Sequence, residues 1–288
     1  MEFRIETILA EYESGRINRR IFFERLIGVV GTYAGALHFL ETSGLAMSLL
    51  SPQESGPANV ESTAVKYPAE GLTMEGYLSR PSGTGPFPAV IVVHENRGLN
   101  DHIRDVGRRL ASQGYTALAA DLLSRQGGTA SFATPDDANR AFQNIKDDDV
   151  TRDLNASYSY LNSNMAVKKD TIAMMGFCWG GQRSFLYAAE NPKLKAAVVF
   201  YASPPPEGKL AQIQAPVLGN YGEQDTRITS TVSIIQETMN NLGKIYDAKI
   251  YPGISHAFFN DTNTQRYNEA AAKDAWERTL AFFKKHLG

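Results

Sequence analysis

The segment Thr171-Ile172-Ala173-Met174-Met175-Gly176-Phe177-Cys178-Trp179-Gly180-Gly181 runs from an apolar stretch into a turn. Its glycines stand two before, two after and three after a cysteine, and a helical pattern starts at Gln182. A strand that turns this tightly into a helix tolerates only Gly or small residues around the residue at its apex. The pattern is that of a nucleophile elbow carrying Cys in place of Ser. The positive end of the following helix points at the apex and favours a thiolate there. Such a turn can also cradle a phosphate, but the spacing is neither G-x-G-x-x-G nor G-x-x-x-x-G-K-[ST]. Cys178 is the single cysteine of the 288 residues, so the chain forms no internal disulfide and has no CxxC pair. A lone cysteine is commonly an inert, buried small side chain, and it is the glycine framing that argues for a nucleophile here.

Around the elbow, strand-like and helix-like patterns alternate. Strands are expected at 72–78, 89–93, 116–120, 171–175, 196–201, 217–221 and 249–251, with helices at 103–113, 150–162, 182–190, 228–242 and 267–286. Runs such as Ala89-Val90-Ile91-Val92-Val93 lack period-two alternation, as strands buried on both faces do. The expected class is therefore α/β, a mostly parallel sheet with helices on both faces. Charge is nearly balanced, 29 Lys and Arg against 31 Asp and Glu, which excludes nucleic-acid binding by bulk electrostatics.

The first 50 residues read as a short helical extension, followed by a linker at 51–62 and the α/β domain at 63–288. The stretch Gly15-Arg16-Ile17-Asn18-Arg19-Arg20 before an apolar run at 26–40 resembles a twin-arginine export signal. Glu2, Glu6, Glu11 and Glu13 offset its basic residues, His38 interrupts the run, and no A-x-A cleavage pattern follows. The run is also short for a membrane span, which takes about 20 apolar residues. Two helices retained on a cytoplasmic protein are the expectation, with periplasmic export as the alternative.

An elbow nucleophile calls for an acid and then a histidine beyond later strands. The strand at 217–221 leads into Gly222-Glu223-Gln224-Asp225, and that at 249–251 into Pro252-Gly253-Ile254-Ser255-His256. Chain order favours His256 over His94 as base, because His94 precedes the nucleophile. Asp225 is favoured over Glu223 as acid, because a residue two further from the strand end reaches over the sheet more readily. His94-Glu95-Asn96-Arg97-Gly98 begins like a zinc-binding H-E-x-x-H, but Gly98 stands at the second His position and the segment follows a strand. No metal or organic cofactor is expected.

Together with the loop 94–100, the stretch Asp121-Leu122-Leu123-Ser124-Arg125-Gln126, the elbow at 176–181 and the Asp225 and His256 segments, the chain resembles the dienelactone hydrolase family of α/β-hydrolases over residues 65–287. The resemblance implies a Cys178-His256-Asp225 triad that opens small lactones or esters through a thioester. It implies that Glu95 pairs with the resting thiol and takes its proton, and that the backbone N–H groups of Trp179 and Asn96 form the oxyanion hole. An ion pair of Glu95 with Arg97 is the plainer alternative. Arg125 matches one of two family arginines that grip a substrate carboxylate. Asn260 stands where the other belongs, with Arg97 as a compensating cation, so a modest preference for anionic lactones is expected. A thioesterase or general carboxylesterase on the same triad is an alternative, and so is a non-catalytic fold with a redox-sensing Cys178. Oligomeric state is not specified.

Overall fold

The computed structural model describes residues 59–288, residues 19–32 and positions 5, 7, 8, 11 and 35. Residues 1–58 and 59–288 form two compact units. In the first, positions 5, 7, 8 and 11 are helical, and helix α1 spans Arg19–Val30. This helix begins at the arginine pair itself, seven residues ahead of the apolar run. Most of the remainder of that run, and the linker up to residue 58, lie outside the described residues. No helix among the described residues is long and apolar enough to cross a membrane.

The second unit is built on an eight-stranded sheet in the order β1-β2-β4-β3-β5-β6-β7-β8. The strands are β1 Val60–Ala69, β2 Leu72–Pro81, β3 Phe87–Val93, β4 Thr116–Asp121, β5 Val167–Phe177, β6 Ala197–Phe200, β7 Val217–Gly222 and β8 Tyr246–Tyr251. The pairs β1/β2 and β2/β4 are antiparallel, and every pairing from β4 through β8 is parallel. Strand β1 starts at Val60, inside the stretch expected as linker, and half of its residues are exposed, as befits an edge strand. Pro68 is tolerated near its end because an edge strand has ladder positions without a required N–H.

Helices α2 Asp101–Ser112, α3 Pro135–Phe142, α4 Asp147–Ser163, α5 Trp179–Glu190, α6 Glu207–Leu210, α7 Thr226–Asn241 and α8 Glu269–Leu287 complete the unit. The side chains of β3 show how the sheet is sandwiched. Ala89, Ile91 and Val93 pack with Leu154, Phe185 and Ile228 of α4, α5 and α7. Val90 and Val92 pack on the opposite face with Ile103, Leu110 and Phe283 of α2 and α8. Because β3 is covered on both faces, its run is apolar throughout rather than alternating.

From β3 the chain moves outward to β4, and it then returns to place β5 on the other side of β3. Strand order therefore reverses between β3 and β5. In an open parallel sheet, loops diverge there and leave a crevice at the carboxyl ends of the strands. Glu95 follows β3 and Cys178 follows β5, so the topology alone brings these two residues to that crevice.

Candidate active site

The turn after β5 has the backbone that the glycine spacing calls for. Cys178 adopts φ 54° and ψ −116°, a left-handed conformation rarely taken by a non-glycine residue. A Cβ on Gly176 would lie 2.1 Å from the carbonyl oxygen of Gly180, and one on Gly180 would lie 2.4 Å from that of His94. Neither position can carry a side chain without pushing helix α5 off the sheet, so the strained thiol is held at the helix start by close backbone contact.

Loops after later strands bring the rest. His256 Nδ1 and Asp225 Oδ2 are 2.5 Å apart, with both side chains largely buried. Carboxylate at Nδ1 leaves Nε2 free to accept a proton. Glu223, the competing acid, is exposed and its carboxylate accepts the Gly253 N–H instead. His94 is fully buried and lies elsewhere in chemical terms. Its Nε2 accepts the Leu122 N–H at 3.1 Å, so Nδ1 carries the proton and donates to the Glu95 carbonyl at 2.7 Å. Burial holds its pKa below the ordinary histidine value. His94 is thus a neutral brace between the ends of β3 and β4, and its ring stacks on Trp179 with centroids 5.9 Å apart.

Glu95 is buried, and both its oxygens are occupied. Oε1 accepts from the Tyr201 hydroxyl at 3.1 Å and Oε2 from the Asn260 amide at 2.7 Å. This corrects three expectations. Glu95 forms no ion pair with Arg97, which is exposed at the mouth of the crevice. It makes no hydrogen bond to the Cys178 thiol either. Asn260, a candidate substrate contact, spends its amide on Glu95 and its Oδ1 on the N–H and hydroxyl of Thr262.

Arg125 is not brought to the crevice at all. Its guanidinium grips Asp153 through Nε at 3.0 Å and Nη2 at 2.8 Å, and it lines neither cavity that opens on Cys178. The Asp121-to-Gln126 match that suggested it positions the β4 loop: Asp121 accepts from the backbone of Leu123 and Thr129 and from the Thr129 hydroxyl.

The thiol itself makes no side-chain hydrogen bond to His256 or Glu95, and the Trp179 N–H points at it. Burial, and then the negative charge of Glu95, push its pKa up to about 11; the Trp179 N–H and the Arg227 charge pull the other way without prevailing. The resting sulfur is therefore a neutral thiol, contrary to the thiolate that the helix terminus alone would favour. The Asn96 N–H has no acceptor among the described residues, and the Asn96 side chain is fixed by Asn139 at 2.9 Å.

Two cavities meet at Cys178 and His256. The inner one, about 350 Å³, has Phe142, Trp179, Tyr201, Ala202 and Ile228 as its apolar lining and Gln143, Gln182, Ser203 and Arg227 among its polar lining. The outer one, about 700 Å³, lies between the loops after β3 and β8 and is lined almost wholly by polar side chains. Asn139, Phe142, Tyr201 and Arg227 are contributors that sequence reasoning missed. For the first two a signal exists: Thr134-Pro135-Asp136-Asp137 is a capping box with Pro at the first helical position, and it starts α3.

The sequence model of the dienelactone hydrolase family matches residues 74–287. The chain belongs to the dienelactone hydrolase family. It is 38% identical over 236 residues to a Salmonella typhimurium protein, with 77% of this chain and 86% of that protein covered. It is 37% identical over 234 residues to an Escherichia coli protein with the same coverages, and both relatives bear the name "Putative carboxymethylenebutenolidase". A crystal structure from Klebsiella pneumoniae, named "Putative Dienelactone Hydrolase", superposes with a TM-score of 0.73 at 35% identity, covering 78% of this chain and 99% of that one. The fold of this dienelactone hydrolase family member is the α/β-hydrolase fold, and it is an enzyme of the ester- and lactone-hydrolysing class.

Proposed function

We propose that the enzyme hydrolyses small esters and lactones through a thioester on Cys178, with His256 as general base and acid and Asp225 holding the imidazole. The observation that carries this reading is the convergence of a strained elbow thiol and an Asp225-bound imidazole on one cavity. As Sγ adds to the carbonyl carbon, its proton passes to His256 Nε2. The resulting oxyanion meets the N–H groups of Trp179 and Asn96, donors of a kind worth about 3 kcal/mol each. The carbon–oxygen bond of the ester breaks and the leaving alkoxide takes the proton from His256. Water then gives a proton to His256 and adds to the thioester carbonyl, the carbon–sulfur bond breaks, and the thiol regains its proton.

A neutral resting thiol suits this cycle, because ionisation is coupled to attack rather than left standing in an open site. It does not suit oxidant sensing, which depends on a standing thiolate. Loss of p-nitrophenyl acetate turnover in Cys178→Ala, in a protein that keeps its fold by circular dichroism, is the expected result; full activity in that variant would overturn the reading.

A further inference from the structure

The two cavities that share Cys178 and His256 differ in chemistry, and a substrate cleaved between them must place one arm in each. The inner chamber opens to solvent and is faced mainly by the rings of Phe142, Trp179 and Tyr201 and by Ile228, with Gln143, Gln182, Ser203 and Arg227 among its polar lining. Phe142 and Trp179 pack with ring centroids 4.6 Å apart, so this wall is a built surface. The outer cleft is about twice as large and is faced by Arg97, Asn263, Thr264, Gln265 and Arg266. None of those five side chains has a hydrogen-bond or ion-pair partner among the described residues. By contrast, Asn100 caps helix α2, and Asn96 and Asn260 are bound to Asn139 and Glu95. The cleft therefore offers a row of uncommitted donors and acceptors opposite a chamber whose lining surface is mostly apolar.

We propose that the enzyme acts on esters of a small apolar acid with a hydroxyl-rich alcohol, the acid arm in the inner chamber and the alcohol arm in the outer cleft. This rests on the thioester reading above. The orientation follows from the second half of the cycle: the water that cleaves the thioester takes the position beside His256 that the alcohol has left. It must come from the same side as the alcohol departs. The polar cleft supplies that water beside His256, and the apolar wall of the other cavity holds the acyl group against the two N–H donors. Hydrogen bonds from side chains such as Gln265 and Thr264 to the hydroxyls of the alcohol then replace those the alcohol made with water.

The test uses the full-length enzyme and two matched pairs of esters. Monobutyryl glycerol is compared with hexyl butyrate for the alcohol arm, and ethyl butyrate with ethyl 3,4-dihydroxybutyrate for the acid arm. The expected kcat/KM for the glyceryl ester exceeds that for the hexyl ester by at least about tenfold, the effect of roughly two ordinary hydrogen bonds. The unsubstituted acid is preferred in the second pair. Gln265→Leu combined with Thr264→Val moves the glyceryl-to-hexyl ratio toward one; both side chains are exposed, so the variant keeps its fold. A ratio at or below one for wild type, or preference for the hydroxylated acid, overturns the proposal even when p-nitrophenyl acetate is turned over through Cys178. No turnover of any ester by wild type, or turnover that survives Cys178→Ala, instead overturns the thioester reading itself.

Discussion

Glu95→Gln should make Cys178 more reactive toward a small alkylating agent while leaving the loop in place. A thiol with a pKa of about 11 is ionised to roughly one part in 10⁴ at pH 7, against about 3% for an ordinary cysteine near 8.5, so Cys178 should react with iodoacetamide roughly 300 times more slowly than free cysteine. After burial, the charge of Glu95 is the largest cause of this elevation. Gln keeps the shape and removes the charge. Its carbonyl can accept from Asn260, whose own amide orientation is fixed by Thr262, and the Tyr201 hydroxyl can turn from donating to accepting. The pKa should fall, and each unit of fall raises the thiolate fraction at pH 7 about tenfold. The assay is the second-order alkylation rate from pH 6 to 11, with the label located by peptide mass spectrometry. Wild type should rise about tenfold per pH unit across most of this range, and Glu95→Gln should follow a curve displaced to lower pH. Arg227→Gln should displace it to higher pH, since that guanidinium favours the thiolate. A Glu95→Gln curve that coincides with wild type, or lies at higher pH, would refute the claim that this carboxylate holds the thiol neutral.

Other consequences separate chemistry from architecture. His256→Ala should lower kcat by at least about a hundredfold with little loss of stability. His94→Ala should instead cost on the order of 3 kcal/mol in urea denaturation, because it unpairs the Leu122 N–H and the Glu95 carbonyl and removes a stacked ring. His94 is neutral when folded with its pKa below the ordinary value, so the unfolded chain binds its proton first as pH falls. Stability should therefore decline below about pH 6.5 by up to about 1.4 kcal/mol per unit, and His94→Gln should flatten that slope in denaturation curves. Arg125→Ala should lower stability by on the order of 2 kcal/mol, as it leaves buried Asp153 without its partner, while the KM for anionic lactones stays unchanged. A raised KM with unchanged melting would return Arg125 to the substrate.

The parts of the fold that the sequence displayed are those whose pattern is local. The elbow glycines are each required by a contact within a few residues or with the adjacent strand end, and the apolar runs of β3 to β7 reflect burial on both faces. Strand β1 escaped because it is a half-exposed edge whose apolar residues are interrupted by Glu61, Ser62, Thr63 and Lys66. Helix α3 escaped because its eight residues are too few to show a helical period, although its capping box was visible. Asp225 and His256 could be found because strand order fixes where such residues emerge. The partners of Arg125 and Asn260 could not: Asp153 is 28 residues from the first and Glu95 is 165 residues from the second, and only the packed structure shows that both side chains are already engaged. The division of the crevice into a mostly apolar chamber and a polar cleft arises in the same way, from separate loops and helix ends.

The most direct test of the central claim is to catch the acyl group on sulfur. Wild-type enzyme mixed with excess p-nitrophenyl acetate should be quenched in acid within the first turnover and its peptides mapped by mass spectrometry. One acetyl group on the peptide containing Cys178, removed by neutral hydroxylamine and absent from Cys178→Ala treated alike, is the predicted result. Acetylation of a different residue during productive turnover, with Cys178 unmodified throughout, would contradict the account.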